Sequence, residues 1–195
     1  HHDIWDYDVP SQPTFYDVKK NGKTIKALAQ TTKMGFVFLL NRETGEPIFP
    51  VEERDVPQGA VEGDFVTKTQ PFPTKPKPLT PTYLDPDDVF GFTPWDRGYC
   101  KKAAQDLRNE GLYTPPSIEG SVHYPSAIGG ANWGGPAIDS SRNILIANTM
   151  NLSSTIVMVP RSDCDKALKE LARDGVQSRF SALQQNEGTP YCTIR

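Results

Sequence analysis

Short apolar and alternating runs dominate the first 60 residues, and they predict β-strands. Residues 24–30, 35–40 and 47–51 are such runs, and turn-forming polar clusters separate them. Ahead of them stands Asn21-Gly22, the dipeptide that two-residue β-hairpins favour. We therefore predict an antiparallel meander here, with a hairpin at Asn21-Gly22.

A second group of apolar runs follows residue 133. Residues 134–138, 144–148 and 155–159 are separated by polar turns and predict another antiparallel meander. Between the two groups, residues 52–86 lose the periodicity and are rich in proline. Because proline fixes φ and lacks an N–H donor, we expect an extended excursion there, without helix or sheet.

Two segments carry helical signals. Residues 96–112 contain helix-favouring side chains and predict a short helix that ends near Gly111. Residues 163–173 are amphipathic and predict a second helix, with Gly175 as the expected stop. Two meanders, a long excursion and short helices fit successive four-stranded blades of a β-propeller. A jelly roll would fit the strand lengths almost as well, so the pattern alone predicts a mainly-β chain with long loops.

Composition limits the function classes. The 195 residues include 21 Lys and Arg against 24 Asp and Glu, giving a net charge of −3, and the pI is about 5.6. Without a basic surface, we expect no nucleic-acid partner. The mean hydropathy of −0.53 and the lack of a long apolar window exclude a membrane-spanning helix in these residues.

The chain has three cysteines, and their spacing does not match a zinc site. A structural role is the simplest interpretation. In an oxidising compartment Cys164 and Cys192 could pair and close a loop, leaving Cys100 as a buried thiol.

Several motifs occur in one consistent order along the chain. They are HDIWDYDVPSQP at residues 2–13, TKMGFVFLLNRETGEP at 32–47, EGLYTPPS at 110–117 and NWGG at 132–135. In this order they resemble the pyrroloquinoline quinone (PQQ)-dependent dehydrogenases, and most closely the membrane-associated glucose and quinate dehydrogenase branch. Each motif alone would be weak, whereas the ordered set is specific.

The resemblance implies part of an eight-bladed β-propeller built from antiparallel four-stranded blades. Since such propellers need several hundred residues, this chain resembles an interior fragment. The expected division is a blade segment at 1–60, a Pro-rich excursion with a short helix at 61–132, a second blade segment at 133–161 and a helix-containing insertion at 162–195.

The resemblance also implies site residues. Oxidising an alcohol by hydride transfer to a quinone needs a base for the hydroxyl proton and a cation near the quinone oxygens. The family pattern places the base and metal ligand at Asp6, with Asp3 and Asp8 as local rivals. It places cofactor contacts at Lys33 and Asn148. Outside this pattern, these residues would be assigned to turns, strand ends and solvated surface.

Two aromatic positions belong to the expected propeller packing. Trp133 is expected to lie between blades rather than on the cofactor. Phe49, after the Thr44-Gly45 turn, stands where the family repeat often has tryptophan, which weakens the repeat match at that point.

We therefore predict a PQQ-dependent oxidation of a sugar or polyhydroxy alcohol of the glucose, quinate or polyol type, with calcium or magnesium beside the cofactor. Ubiquinone is the expected electron acceptor, and the parent protein is expected at the periplasmic face, attached to the inner membrane. The alternative is a noncatalytic propeller module that has lost its cofactor site. A glycan-binding β-sandwich would explain none of the ordered motifs. Because the other blades are missing, we expect the 195-residue piece to be inactive, to bind PQQ poorly and to self-associate unless joined to its parent chain.

Overall fold

The computed structural model describes residues 1–173 and 183–195, which are mainly β with short helices, as predicted. The regular elements are β1 (Thr14–Lys20), β2 (Lys23–Thr31), β3 (Val37–Asn41), β4 (Val51–Asp55), β5 (Thr69–Pro73), α1 (Pro94–Gln105), β6 (Ser121–His123), β7 (Pro136–Asp139), β8 (Ile144–Ala147), β9 (Ser154–Pro160), α2 (Cys164–Arg173), β10 (Leu183–Gln184) and β11 (Tyr191–Ile194).

These elements belong to two compact units that interleave in sequence. The first unit consists of His1–Val56, Lys68–Thr82 and Tyr124–Leu152. The second consists of Pro57–Thr67, Tyr83–His123 and Ser153–Arg195.

The first unit contains the predicted meander. Strands β1, β2 and β3 form an antiparallel sheet in that order. The β1–β2 hairpin closes with Lys20 opposite Lys23, and both turn residues have positive φ, 52° at Asn21 and 74° at Gly22. Positive φ at both positions is the geometry that an Asn-Gly pair accepts, so the predicted hairpin is confirmed.

The segment after β3 departs from the predicted third strand at residues 47–51. Leu40 and Pro47 form an isolated bridge, and the Ile48 N–H donates to the carbonyl of Leu39 at 2.8 Å. Ile48 enters a buried cluster with Val18, and Phe49 packs against it half-buried. Because Ile48 and Phe49 pack into this cluster, the regular strand begins only at Val51.

The proline-rich excursion is more regular than predicted. Strands β4 and β5 pair antiparallel from Val51 opposite Pro73 to Asp55 opposite Thr69. In a two-stranded sheet β5 is an edge strand, where a proline without an N–H is tolerated. The expectation of no sheet in residues 52–86 is therefore wrong for β4 and β5.

The predicted second meander is also wrong as a single sheet. Strands β7 and β8 form a two-stranded hairpin in the first unit. Strand β9 belongs to the second unit, where it pairs with β6 and β11 in a four-stranded antiparallel sheet of order β10-β11-β9-β6. The partners of β9 are distant in sequence, so a pattern of local runs could not reveal them.

The two helices lie in the second unit. Helix α1 starts at Pro94 because Thr93 forms a capping box with Asp96. It ends before the predicted residue 112, since Arg108 exchanges backbone hydrogen bonds with Gly120 and Val122. Helix α2 occupies the predicted segment, whereas the predicted stop at Gly175 lies outside the described residues. Within the described ranges, neither helix has the length and hydropathy needed to span a bilayer.

A disulfide joins helix α2 to strand β11 in the second unit. Cys164 at the start of α2 is bonded to Cys192 in β11, with the Cα atoms 6.1 Å apart. The sequence left this pairing open, and the structure forms it. Cys100 is a free thiol, but it is exposed on α1, so the expectation of a buried thiol is wrong.

We expect the Cys164–Cys192 bond to stabilise the second unit. In the parent protein, Cys192→Ser should lower the free energy of unfolding by about 2–4 kcal/mol, because the unfolded chain regains the freedom that the closed loop removed. Urea unfolding measures the change, and Cys100→Ser is the matched control. Equal unfolding midpoints for the two variants would contradict the expectation.

Candidate functional site

A tight turn after β2 holds Lys33 in the first unit. The N–H of Thr32 donates to the carbonyl of Phe36 at 3.0 Å, and the N–H of Gly35 donates to the carbonyl of Thr32 at 3.0 Å. Gly35 has φ of 79°, a left-handed value that suits glycine. The Thr-Lys-Met-Gly sequence therefore folds into a turn that fixes the backbone of Lys33.

Two glycines close on the same lysine. The N–H of Gly130 donates to the carbonyl of Lys33 at 2.6 Å. Gly129 has φ of 87°, and a Cβ built on it would lie 2.6 Å from Cγ and 2.8 Å from Cα of Lys33. Only glycine fits at position 129, so the Gly-Gly pair forms one wall of the lysine site.

The segment from Asp3 to Asp8 forms the facing part of the site. Asp3 accepts hydrogen bonds from the backbone N–H groups of Trp5 at 2.9 Å and Tyr7 at 2.7 Å. The rings of Trp5 and Tyr7 are stacked and buried, and the Tyr7 hydroxyl donates to the carbonyl of Pro125 at 2.6 Å. The residues on either side of Asp6 are thus anchored in the core.

Lys33 lies between two carboxylates of this segment. Its Nζ is 3.0 Å from the Asp6 carbonyl oxygen and 3.4 Å from Asp6 Oδ1, and it forms an ion pair with Asp8. The lysine side chain is only 9% exposed, whereas those of Asp6 and Asp8 are 48% and 55% exposed. A buried ammonium needs such partners, because an unpaired charge away from water is strongly destabilising.

Asp6 also has an unusual backbone conformation. Its φ of 67° is left-handed, a region that residues other than glycine adopt at an energetic cost of about 1 kcal/mol. Such strain often accompanies functional sites. Here it turns both the carbonyl and the carboxylate of Asp6 toward Lys33.

The structure separates the three candidate aspartates. Asp3 has a structural task, since its carboxylate binds backbone N–H groups of its own loop. Asp6 and Asp8 both meet Lys33, so the structure brings together two of the predicted site residues, Asp6 and Lys33, and adds Asp8.

The segment that carries Asn148 is connected to the site through backbone hydrogen bonds. Asn148 follows β8 directly and is exposed. Two residues later, the N–H of Met150 donates to the carbonyl of Gly130, the residue bonded to Lys33. The proposed contact of Asn148 with the cofactor stays a prediction.

Two further observations concern the surroundings of the site. Trp133 is 82% exposed in the part of the chain that the structure describes, and its packing between blades stays a prediction. Among the described residues, no group of three or more His, Cys, Asp or Glu side chains could hold a metal ion.

The wall formed by Gly129 and Gly130 was not predicted from the sequence. Its only signal in the sequence is that dipeptide itself, just ahead of Asn132-Trp133.

Comparison with known proteins covers the whole chain. A family model described as "PQQ: Glucose/ethanol/alcohol dehydrogenase, beta-propeller domain" matches residues 1–195. Quinoprotein glucose dehydrogenase of Gluconobacter oxydans is 40% identical over 193 residues, covering 98% of this chain and 24% of the relative. The Escherichia coli protein of the same name is 36% identical over 197 residues, with the same coverages.

A third relative has another substrate in its name. Quinate/shikimate dehydrogenase (quinone) of Acinetobacter baylyi is 32% identical over 192 residues, again covering 98% of this chain and 24% of the relative. The chain thus spans about a quarter of the length of these relatives. Among solved structures, a europium-containing methanol dehydrogenase aligns with TM-score 0.44 and 17% identity over 97% of this chain and 23% of that one, a likeness too weak to carry an argument.

The close contact at Gly129 generates a testable prediction. Gly129→Ala should displace Lys33 and lower the free energy of unfolding by about 2–4 kcal/mol, since it combines positive φ with a steric clash. Gly45→Ala is the control, because Gly45 has φ of 79° but no atom lies within 4 Å of the place that its Cβ would take. Chemical unfolding of the parent protein measures both, and similar losses in the two variants would show that the clash is not what matters.

Proposed function

The chain belongs to the β-propeller family of PQQ-dependent glucose, ethanol and alcohol dehydrogenases, and from this we propose that its parent protein oxidises a sugar or polyhydroxy alcohol with PQQ as cofactor. The observation that carries the proposal is the contact between Asp6 and Lys33. It places a carboxylate and a cation side by side, which is the pair that alcohol oxidation by a quinone requires.

The residues present fit a quinone cofactor. The Lys33 side chain is nearly buried, whereas the side chains of its two partners, Asp6 and Asp8, are half exposed. A cofactor therefore approaches the ammonium from the side of these two carboxylates. A cation held in this way is preorganised to donate hydrogen bonds to oxygens that gain negative charge. We propose that Lys33 and Asn148 hold the cofactor, Asn148 from the exposed end of β8.

PQQ, when bound, supplies the acceptor for the hydride of the alcohol carbon. The task of Asp6 is to accept the proton of the substrate hydroxyl at its carboxylate. Substrates of the glucose or quinate type agree with the names of the relatives.

Asp6 is also the proposed metal ligand of this chain. Calcium and magnesium both take hard oxygen ligands, and a half-exposed carboxylate suits either ion. One carboxylate does not hold such an ion alone, so we propose that the other ligands come from parts of the parent protein outside these residues.

We further propose ubiquinone as the electron acceptor and the periplasmic face of the inner membrane as the location. The word "quinone" in the name of the Acinetobacter baylyi relative supports the acceptor. The Cys164–Cys192 disulfide supports an oxidising compartment, where such bonds persist.

The remaining blades of the parent chain are the proposed structural partners. In our proposal, residues 1–60 and 133–161 supply blade segments, 61–132 the excursion and 162–195 the insertion. Strand β8 leaves Ile144 and Ile146 about half exposed, which supports a covering neighbour in the complete propeller. The isolated piece is therefore expected to be inactive.

Reconstitution of the parent protein tests this function. With PQQ and calcium or magnesium, the wild type should reduce an artificial dye in the presence of a sugar or polyol. Asp6→Asn should lower kcat by about 10²–10⁴-fold, because the base is lost. Lys33→Met should weaken PQQ binding about tenfold or more, as measured by titration of the cofactor absorbance.

Two exposed residues of the same unit provide matched controls. Asp17→Asn alters a carboxylate that contacts Arg42 at 3.6 Å, and Lys26→Met alters an ammonium that contacts Glu43 at 2.8 Å. Both should retain wild-type activity. If the wild-type parent neither binds PQQ nor reduces the dye with any alcohol, the chain belongs to a noncatalytic propeller module instead.

A further inference from the structure

Asp3 has no role in the proposed chemistry, yet each oxygen of its carboxylate accepts a hydrogen bond. Oδ1 accepts the N–H of Trp5 at 2.9 Å, and Oδ2 accepts the N–H of Tyr7 at 2.7 Å. The chain between residues 3 and 7 therefore wraps around one carboxylate, and Asp6 lies inside that wrapped segment.

The wrapped segment explains how Asp6 keeps its left-handed conformation. With φ of 67°, Asp6 would relax toward negative φ unless its neighbours were fixed. Burial of the Trp5 and Tyr7 rings fixes the side chains on both sides of it. The Asp3 carboxylate fixes the backbone, since the amide that follows Asp6 is the N–H of Tyr7.

The conformation of Asp6 in turn sets the lysine contact. Asp6 offers two acceptors to Lys33 Nζ, its carbonyl at 3.0 Å and Oδ1 at 3.4 Å. A backbone flip at Asp6 would turn its carbonyl away and change the direction of its carboxylate. The charge-assisted hydrogen bond that the Asp3 carboxylate accepts from the Tyr7 N–H opposes that flip.

We propose that Asp3 is a positioning residue for the reaction: its carboxylate holds the loop so that Asp6 faces the substrate hydroxyl and Lys33 at once. This inference rests on the proposed function of Asp6 as the base. Asp3 does not touch the reacting atoms, and its effect passes through Asp6.

A double-mutant cycle in the PQQ-loaded parent protein tests the dependence on Asp6. Asp3→Asn keeps the shape of the side chain but turns one acceptor oxygen into an NH₂ group that faces a backbone N–H. We expect kcat to fall about tenfold or more, with KM changed less. Because Asp3 acts through Asp6, the variant that combines Asp3→Asn with Asp6→Asn should have the kcat of Asp6→Asn alone, within about twofold.

A second readout uses the parent protein without cofactor. Amide hydrogen exchange of a peptide covering residues 4–8 should be about tenfold faster or more in Asp3→Asn than in the wild type, because the two hydrogen bonds weaken. A peptide from β2 should exchange at the wild-type rate. Asp17→Asn, which removes an equal charge from β1, should change neither peptide.

The outcomes separate this inference from the proposed function. If Asp6→Asn keeps its activity, the proposed function fails. If Asp6→Asn is inactive while Asp3→Asn has wild-type kcat, or if the losses of the two variants multiply in the combined one, only the positioning inference is overturned. Faster exchange in β2 would assign Asp3 to the fold as a whole and would also overturn it. Should Asp3→Asn not fold, Asp3→Ser, which retains one acceptor, takes its place under the same criteria.

Discussion

The buried ammonium of Lys33 is the constraint around which the first unit is organised. Removing a lysine charge from water is strongly unfavourable unless acceptors surround it, and here Asp6 and Asp8 supply them. The turn after β2 fixes the backbone of Lys33, and Gly129 permits the close approach of a second segment. Side chains that would otherwise be surface aspartates thus become a charged cluster, with the cation inside and the anions toward solvent.

Fold prediction from the sequence worked where structure is set by neighbouring residues. The Asn21-Gly22 hairpin needs only two residues that accept positive φ, and the amphipathic pattern that predicted α2 is equally local. The prediction was wrong where the pairing of a strand depends on segments that are distant in sequence. Strand β9 has a run typical of a meander, but its partners β6 and β11 lie far away along the chain. The β4–β5 pair was not predicted because its prolines argue against a strand. An edge strand tolerates proline, which has no N–H to donate, whereas a central strand does not.

The site was predicted only through resemblance, and the structure explains why. Nothing in the spacing of Asp6 and Lys33, which lie 27 positions apart, shows that the fold brings them together. Asp3, Asp6 and Asp8 are chemically identical, so their different tasks follow from the backbone. Asp3 binds N–H groups of its loop, whereas Asp6 and Asp8 meet the lysine. Gly129 was missed because a close contact through glycine leaves no periodic pattern.

The contact between the Asp6 carboxylate and the Lys33 ammonium, in a chain of a PQQ β-propeller family, is the proposed place of alcohol oxidation. A crystal structure of the parent protein with PQQ bound tests it most directly. In that structure Lys33 Nζ should lie within hydrogen-bond distance of a quinone oxygen, and the Asp6 carboxylate should face the open side of the cofactor. PQQ bound away from Asp6, with Lys33 contacting only Asp6 and Asp8, would contradict it.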